Sequence, residues 1–422
     1  MRDRLFSYKF PFHYGWVLVG LLFVALINFG LRGALGAYFI SWENEFLISR
    51  TAAAAIPLLG WITFAVAQPL AGKLADQYGG RIIFALGSLL IGASLMVSSA
   101  VTGFWQLIIL LGVFFPSGSA GCSSVVAASL VTHWFAKKRG FVLGIIASGQ
   151  AVGTLILVPA TIFLVEAHGW RYAVLLLGQI VTFGLTPLLA LFIRSKPADI
   201  NLAPYGDGET PAGAGVQKEK VPISLGVIFR NRVFWLLSIS YFICGFTDIG
   251  FTGTHFIPFA EGRGFTPYTI ALVFTLLSAS SLLGTVGAGY LADQIDRGKL
   301  LRLLYGFRSL TFILLLYARS PVLLFIFALS FGITEMATIA PTGSLCTQMF
   351  TKESVGIVFG LVTVCHHLGA AASSYLGGVT YDYWGRYEFI LILIMALLVV
   401  NAIIVSQIKD NGNVPGSRDR VT

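Results

Sequence analysis

The sequence predicts an all-α, polytopic membrane protein: twelve transmembrane helices in two pseudo-symmetric six-helix bundles. Three observations carry the prediction. Of 422 residues, 56% are hydrophobic and only 11% are charged, where a soluble protein carries about 25% charged residues. Runs such as Val17–Leu31, Ile82–Val101, Tyr172–Ile193 and Phe389–Val405 exceed ordinary core helices, and roughly 18 or more largely apolar residues read as a membrane span. Third, landmarks in the first half recur in the second at nearly one offset.

Each element follows from its own stretch of sequence. Span 1 (15–41) is an apolar run that nevertheless holds Arg32, within "NFGLRGALGAYF". Span 2 (51–72) begins after Arg50 and ends at the loop "AGKLADQYGGR"; span 3 (81–101) follows it. Span 4 (104–132) has a small polar face, "PSGSAGCSS", suited to a cavity wall or to tight packing. Spans 5 (140–166) and 6 (169–193) complete the first half.

The Pro/Gly-rich, charged stretch "SKPADINLAPYGDGETPAGAGVQKEK" then reads as a flexible linker. The expected division is therefore a first bundle over 1–194, a linker over 195–229, a second bundle over 230–408 and a tail over 409–422. Within the linker, 221–230 reads as a basic amphipathic helix fit for a membrane surface.

The second half begins with span 7 (233–258), which carries Asp248 in "CGFTDIGFTGTHF" and His255 near its end. Span 8 (266–292) contains the uncharged "LLSASSLLGTVG", and span 9 (299–318) contains Arg308. Span 10 (321–348) carries Glu335 in "FGITEMATIAPTG". Span 11 (354–381) is interrupted by His366 and His367, and span 12 (386–408) is almost purely apolar.

Charge distribution sets the topology. One set of loops and termini holds 21 of the lysines and arginines and the opposite set holds 5. That asymmetry is the positive-inside rule and places both termini in the cytoplasm, the chain being multi-pass in the plasma (inner) membrane. The net charge of +9 thus reports topology and no nucleic-acid partner. The basic start runs into a segment too long for a cleaved signal. Four cysteines lie singly in apolar spans, without metal-ligand or disulfide spacing. No phosphate loop or nucleophile–base constellation is evident, so neither enzymatic activity nor a cofactor is expected.

The repeat is explicit. "AGKLADQYGGR" recurs as "AGYLADQIDRGK", with Gly72 and Gly289 separated by 217 residues. "GFVLGIIASGQAVG" recurs as "GIVFGLVTVCHHLG", with Gly153 and Gly369 separated by 216. A parallel repeat of six spans puts the substrate site of a transporter near the bilayer midplane, between the halves. The glycines 140, 144, 149 and 153, with 356, 360 and 369 as counterparts, are expected to permit close helix approach.

At these residues the chain resembles the major facilitator superfamily. Gly72, Asp76, Gly79 and Arg81 match its signature loop between spans 2 and 3; Gly289, Asp293 and Arg297 keep the pattern between spans 8 and 9, where Asp296 replaces the second glycine. The stretches "HYGWVLV", "WFAKKRGFVLGIIASG" and "GWRYAVLLLG" further resemble the monocarboxylate and oxalate/formate porter branch. The resemblance implies two bundles that rock about a central site. Spans 1, 4, 7 and 10 would line the cavity, spans 2, 5, 8 and 11 the moving interface, and spans 3, 6, 9 and 12 the periphery. The seven loop residues would gate the cytoplasmic side.

Each ionisable group inside a span costs roughly 2.5–3.5 kcal/mol on insertion scales and so demands a reason. Arg32 cannot shed its proton and needs water, a carboxylate or an anionic substrate. Adding 216 to 32 gives 248, so Asp248 is its near counterpart and an expected partner in the empty carrier. Asp248 and Glu335 are the candidate proton carriers; a purely structural ion pair is the plainer alternative for each. His366 corresponds to Gln150, which makes these two candidate substrate contacts beside Arg32, Asp248 and Glu335. Adjacent histidines point about 100° apart on a helix, which argues against a metal. His255 is expected at the membrane interface, and Arg308, on a peripheral span, in a structural pair.

One departure from the resemblance is informative. Proton-coupled monocarboxylate carriers of animals place an aspartate and an arginine on span 8, at positions held here by Ser281 and Thr285. Their work must lie elsewhere if the cargo is similar. The expectation is a monomeric secondary active transporter of a small mono- or dicarboxylate, coupled to protons as a symporter. The alternatives are an exporter or antiporter of a drug or metabolite, and a non-transporting receptor.

Overall fold

The computed structural model describes residues 13–206, 225–292, 294–349 and 355–408, and they are almost entirely helical. Among the described residues, eleven helices are long and apolar enough to cross a membrane: Gly15–Phe46, Arg50–Tyr78, Gly80–Ser98, Phe104–Trp134, Arg139–His168, Trp170–Phe192, Arg232–Gly262, Pro267–Ala292, Pro321–Thr347, Gly356–Trp384 and Glu388–Ser406. These are spans 1–8 and 10–12. The twelfth, span 9 at Arg297–Leu316, has the length but carries Arg302 and Arg308. Residues 207–224 of the expected linker, the tail from 409 and Asp293 lie outside the described residues.

Outward-facing Val66, Leu70, Leu86, Phe183, Leu283 and Val286 are exposed. A belt of apolar side chains is what a helix needs toward lipid, since the backbone's polar groups are satisfied within the helix. Buried apolar residues form two clusters. One runs from Tyr14 to Ile193 with Ala370 and Ala371; the other runs from Ile228 to Ile408 with Ala34, Ala37, Val158 and Ile162. The start of the linker is docked: Tyr205 exchanges backbone hydrogen bonds with Trp134 and Ala136, and His13 bonds the Ala203 carbonyl at 2.9 Å.

The repeat is visible in the packing. A Cβ at Gly153 would lie 2.2 Å from the Ile27 carbonyl oxygen, and one at its counterpart Gly369 would lie 2.0 Å from that of Phe242. Span 5 thus meets span 1 as span 11 meets span 7, with backbones closer than any side chain allows. Gly149 behaves likewise, 2.4 Å from the Phe23 oxygen. Gly140, Gly144, Gly356 and Gly360 do not: nothing lies within 4 Å of a Cβ at any of them. The expected close approach is confined to the middle of these helices, and the glycines toward the ends bearing the basic loops face open space.

Span 2 packs along span 11 and span 5 along span 8. At the end opposite the basic loops the halves are bonded together. Asp382 of span 11 accepts the backbone N–H groups of Arg50 (3.0 Å) and Thr51 (2.8 Å) at the start of span 2. Arg50 pairs with Glu43, donates to the Tyr387 hydroxyl at 2.8 Å and lies 4.4 Å from the Tyr381 ring centre. A carboxylate at a helix N-terminus satisfies orphan N–H groups and the dipole together. The molecule is therefore tied shut at this end.

Candidate functional site

The four spans expected to line a cavity are all irregular near their middles, as is peripheral span 6, which holds a π-helix over Ile180–Leu185. Span 1 breaks at Asn28 and again around Ala34–Tyr38. Span 4 stops at Gly121 and restarts at Ser124. Span 7 widens into a π-helix over Phe246–Thr252. Span 10 stops at Glu335 and restarts at Ile339. Small, glycine-rich and β-branched polar residues at these points ("SGSAGCSS", "GFTDIGFTGT", "GITEMATIAPTG") give the backbone alternatives to the helix. Such breaks persist inside a membrane only where protein or a cavity surrounds them.

The break in span 10 is filled by Arg308, which is wholly buried. Its guanidinium donates to the carbonyl of Thr334 and, at 2.9 Å, to that of Glu335. These are the carbonyls a helix end leaves unpaired. It also donates to the Thr334 hydroxyl at 3.2 Å and to the Cys244 sulfur at 3.2 Å, and sits 4.0 Å from Asp248 Oδ2. Asp248 Oδ2 lies in turn 3.3 Å from His366 Nε2. Arg308, expected at the periphery, thus reaches across from span 9 and takes the place at Asp248 anticipated for Arg32. The expected Arg32–Asp248 pair is not formed.

Cys244, Asp248 and His366 offer three ligand atoms within 4.8 Å of one another. The cation among them is Arg308, whose guanidinium already bonds the Cys244 sulfur. Glu335 is half-buried at the end of the first segment of span 10, within electrostatic reach of Asp248 and Arg308 and beside Ser281. The neutral span 8 thus meets a carboxylate borne by span 10.

Arg32 is different. It is 6% exposed, its guanidinium carbon lies 4.0 Å from the ring centres of both Trp61 and Phe64, and its Nη1 has no hydrogen-bond partner. Two aromatic faces stabilise the cation by about 2 kcal/mol or more when desolvated but neutralise nothing. His367 stacks parallel to the same indole, at 5.6 Å, and its Nδ1 is also unpartnered. Arg32, Trp61, Phe29, Pro116, Gly253 and Thr254 are among the residues lining a central cavity. A buried guanidinium with free donors, facing a cavity, is a receptor for an oxyanion.

The remaining candidates fall elsewhere. Gln150 donates to Ser124 Oγ at 3.1 Å, at the break in span 4, so it and its counterpart His366 serve different helix breaks. His255 is fully buried, with Nε2 2.6 Å from the Ser374 carbonyl and Nδ1 3.2 Å from the Tyr387 hydroxyl, beside the closed end. In the signature loop, Asp76 accepts from Ser129 Oγ at 2.6 Å, and Arg81 donates to the Ala190 carbonyl at 2.7 Å. Both of these bonds lie within the first half. Gly79 takes φ +91°, the turn that only glycine adopts easily. Gly72 packs on Val125, and Gly289 faces open space. Arg297 begins span 9.

Sequence comparison decides the family: the chain matches the Major Facilitator Superfamily family profile over residues 21–373 and again over 256–419. The chain belongs to the major facilitator superfamily. It is 30% identical to monocarboxylate transporter 11 of Mus musculus over 71% of this chain, spanning 63% of the mouse protein. It is 25% identical to the agnestins efflux protein AgnL12 of Paecilomyces divaricatus, over 88% of this chain and 83% of that one. Among solved structures, a D-xylose–proton symporter shares the fold with a TM-score of 0.75 at 15% identity, covering 94% of this chain and 98% of that one. Major facilitator proteins are multi-pass membrane transporters, so this chain moves a small molecule across a membrane.

Proposed function

We propose that the chain carries a small organic anion, a mono- or dicarboxylate, by alternating access and in symport with protons. It works in the plasma membrane with both termini in the cytoplasm. The observation that carries the reading is Arg32, a permanent charge on the cavity wall whose buried Nη1 lacks an acceptor. The mouse relative's name, a monocarboxylate transporter, supports the anionic cargo. On this reading the structure is the inward-facing state, because the end that is bonded shut lies opposite the basic loops.

The cargo's carboxylate docks on Arg32 against the Trp61 and Phe64 faces. Asp248, held between Arg308 and His366, and Glu335 are the groups that take and release the proton. On this reading the proton is carried in the second half, on spans 7 and 10, and the anion in the first. A monocarboxylate and one proton add no net charge to the cavity, which lets the halves close around them. The gate opposite is the Asp382–Arg50–Tyr387 set, and the loops bearing Asp76, Arg81, Asp293 and Arg297 gate the cytoplasmic end.

Proteoliposomes with an imposed pH gradient test the reading. An acidic outside is expected to drive accumulation of at least one labelled carboxylate above its equilibrium level. Accumulation driven instead by an acidic lumen supports the second reading, export by antiport, which the fungal efflux relative favours. Binding of carboxylates with no flux under either gradient rejects both.

The outer gate has its own test. Asp382→Ala removes two charge-assisted hydrogen bonds, each worth about 1.5–3 kcal/mol, and is expected to shift the population outward. A Gly253→Cys probe sits on the cavity wall with nothing nearer than 4.0 Å to its Cβ. Its labelling by an impermeant maleimide added to cells is expected to rise about tenfold or more. Unchanged labelling means that the gate is held by apolar packing instead.

A further inference from the structure

The two broken cavity helices of the repeat, spans 4 and 10, are built oppositely. Adding 216 to Cys122 gives Thr338, so the breaks correspond. Span 10 has a resident cation: Arg308 fills the carbonyl end of its first segment. Subtracting 216 from 308 gives 92, and that position is Gly92, which has no side chain to offer. In span 4 the Gly118 and Ser119 carbonyls are met by the Cys122 N–H instead.

What span 4 presents is donors. Its second segment, Ser124–Trp134, is 11 residues long and begins in mid-membrane after Ser123, whose backbone is extended (φ −94°, ψ 165°). The first turn of such a segment has N–H groups with no helical acceptor and the positive end of its dipole. Ser123 stands at the capping position, yet its hydroxyl makes no cap. That Oγ is unpartnered on a residue 4% exposed. Asn28, at the break in span 1, is 7% exposed and its Nδ2 is unpartnered as well. Both line one small cavity together with Ser119, Gln150 and Phe64. Leaving such buried groups unmet costs about 1–3 kcal/mol each.

We infer that the break in span 4 is a second oxygen-acceptor subsite, formed by Asn28 Nδ2, the Ser123 hydroxyl and the N-terminus of the Ser124–Trp134 segment. It lies next to the arginine site. Phe29 lines both cavities, and Phe64 lines this one while supporting the Arg32 guanidinium. The inference rests on Arg32 as the carboxylate receptor and names the cargo class more narrowly. One carboxylate binds Arg32, and a second acceptor on the same molecule (a second carboxylate or a 2-oxo group) meets the donors of span 4. A buried water fills the subsite between cargo molecules, since a water needs two to four polar partners and finds them here.

The test is ligand binding to the purified full chain, followed by calorimetry, with succinate, pyruvate and propionate as probes. Propionate has the carboxylate and lacks the second acceptor. The parent is expected to bind succinate or pyruvate at least about tenfold more tightly than propionate. Ser123→Ala and Asn28→Leu are expected to erase that preference while changing propionate affinity less than about twofold. Asn28→Asp keeps the side-chain shape and adds a negative charge; it is expected to weaken the two-acceptor acids more than propionate. Thermal melts of each variant show that it is folded. Acids that bind through Arg32 with no preference, or a preference the variants leave intact, overturn the subsite alone and leave it a water site. If no acid binds the parent, the carboxylate reading falls and takes the subsite with it.

Discussion

Replacing Arg32 by glutamine is expected to lower uptake kcat/KM by about 100-fold or more and to leave the fold as stable as before. The first half follows from the strength of a charge-assisted contact to a buried anion, whose loss costs about 2–5 kcal/mol. The second half separates this residue from a structural one. Arg32 contacts aromatic rings and cavity, with an unpartnered Nη1. Removing it gives up the cation–π attraction, about 2 kcal/mol, but also removes a charge that costs roughly as much or more to hold in a membrane. The melting temperature is expected to move by no more than a few degrees, in either direction. Arg32→Lys keeps the charge but loses the planar fork and the stacking, so it is expected to fall between parent and glutamine. A glutamine variant that melts far below the parent, or one that transports normally, would show that Arg32 is a packing residue.

The helices and their order were legible because bilayer thickness, helix rise and apolar run length are one constraint. The expected span 7, 233–258, became Arg232–Gly262, and the others moved by similar amounts. The charge partners were not legible. Arg308 stands on a helix that the family resemblance makes peripheral. What turns it inward is the buried polar stripe around it, Tyr305, Arg308, Ser309 and Thr311. A polar stripe at helical spacing on one face of span 9 was the available signal. The offset of 216 paired Arg32 with Asp248 in register but says nothing about reach, and a guanidinium on a third helix fits the carbonyls that the break in span 10 frees. The gate around Asp382, Arg50 and His255 was unreadable for a related reason. Its partners are more than 100 residues apart in sequence, and two of its bonds are to bare backbone N–H groups. A helix start that needs a carboxylate does not announce which carboxylate will come.

The second large effect concerns the cluster in the other half. Arg308→Leu is expected to prevent stable folding, with a loss of about 3–5 kcal/mol, because it strips a buried aspartate of its arginine partner. It also leaves the Thr334 and Glu335 carbonyls without their donor. Asp248→Asn should behave otherwise. Arg308 keeps its carbonyl, hydroxyl and sulfur acceptors, so the protein is expected to fold, with a smaller fall in melting temperature. Counterflow of labelled cargo between equal compartments needs no net proton movement and is expected to survive in Asp248→Asn, while accumulation driven by a pH gradient is expected to be lost. The double variant, Asp248→Asn with Arg308→Leu, removes both buried charges and is expected to recover part of the stability that Arg308→Leu alone loses; that coupling measures the pair itself. If Asp248→Asn still accumulates cargo against its gradient, the proton travels through Glu335, and the Asp248–Arg308 pair is then a brace for the break in span 10. Because the same two charges serve both purposes in the geometry, only the divergence between counterflow and gradient-driven uptake separates a brace from a proton site.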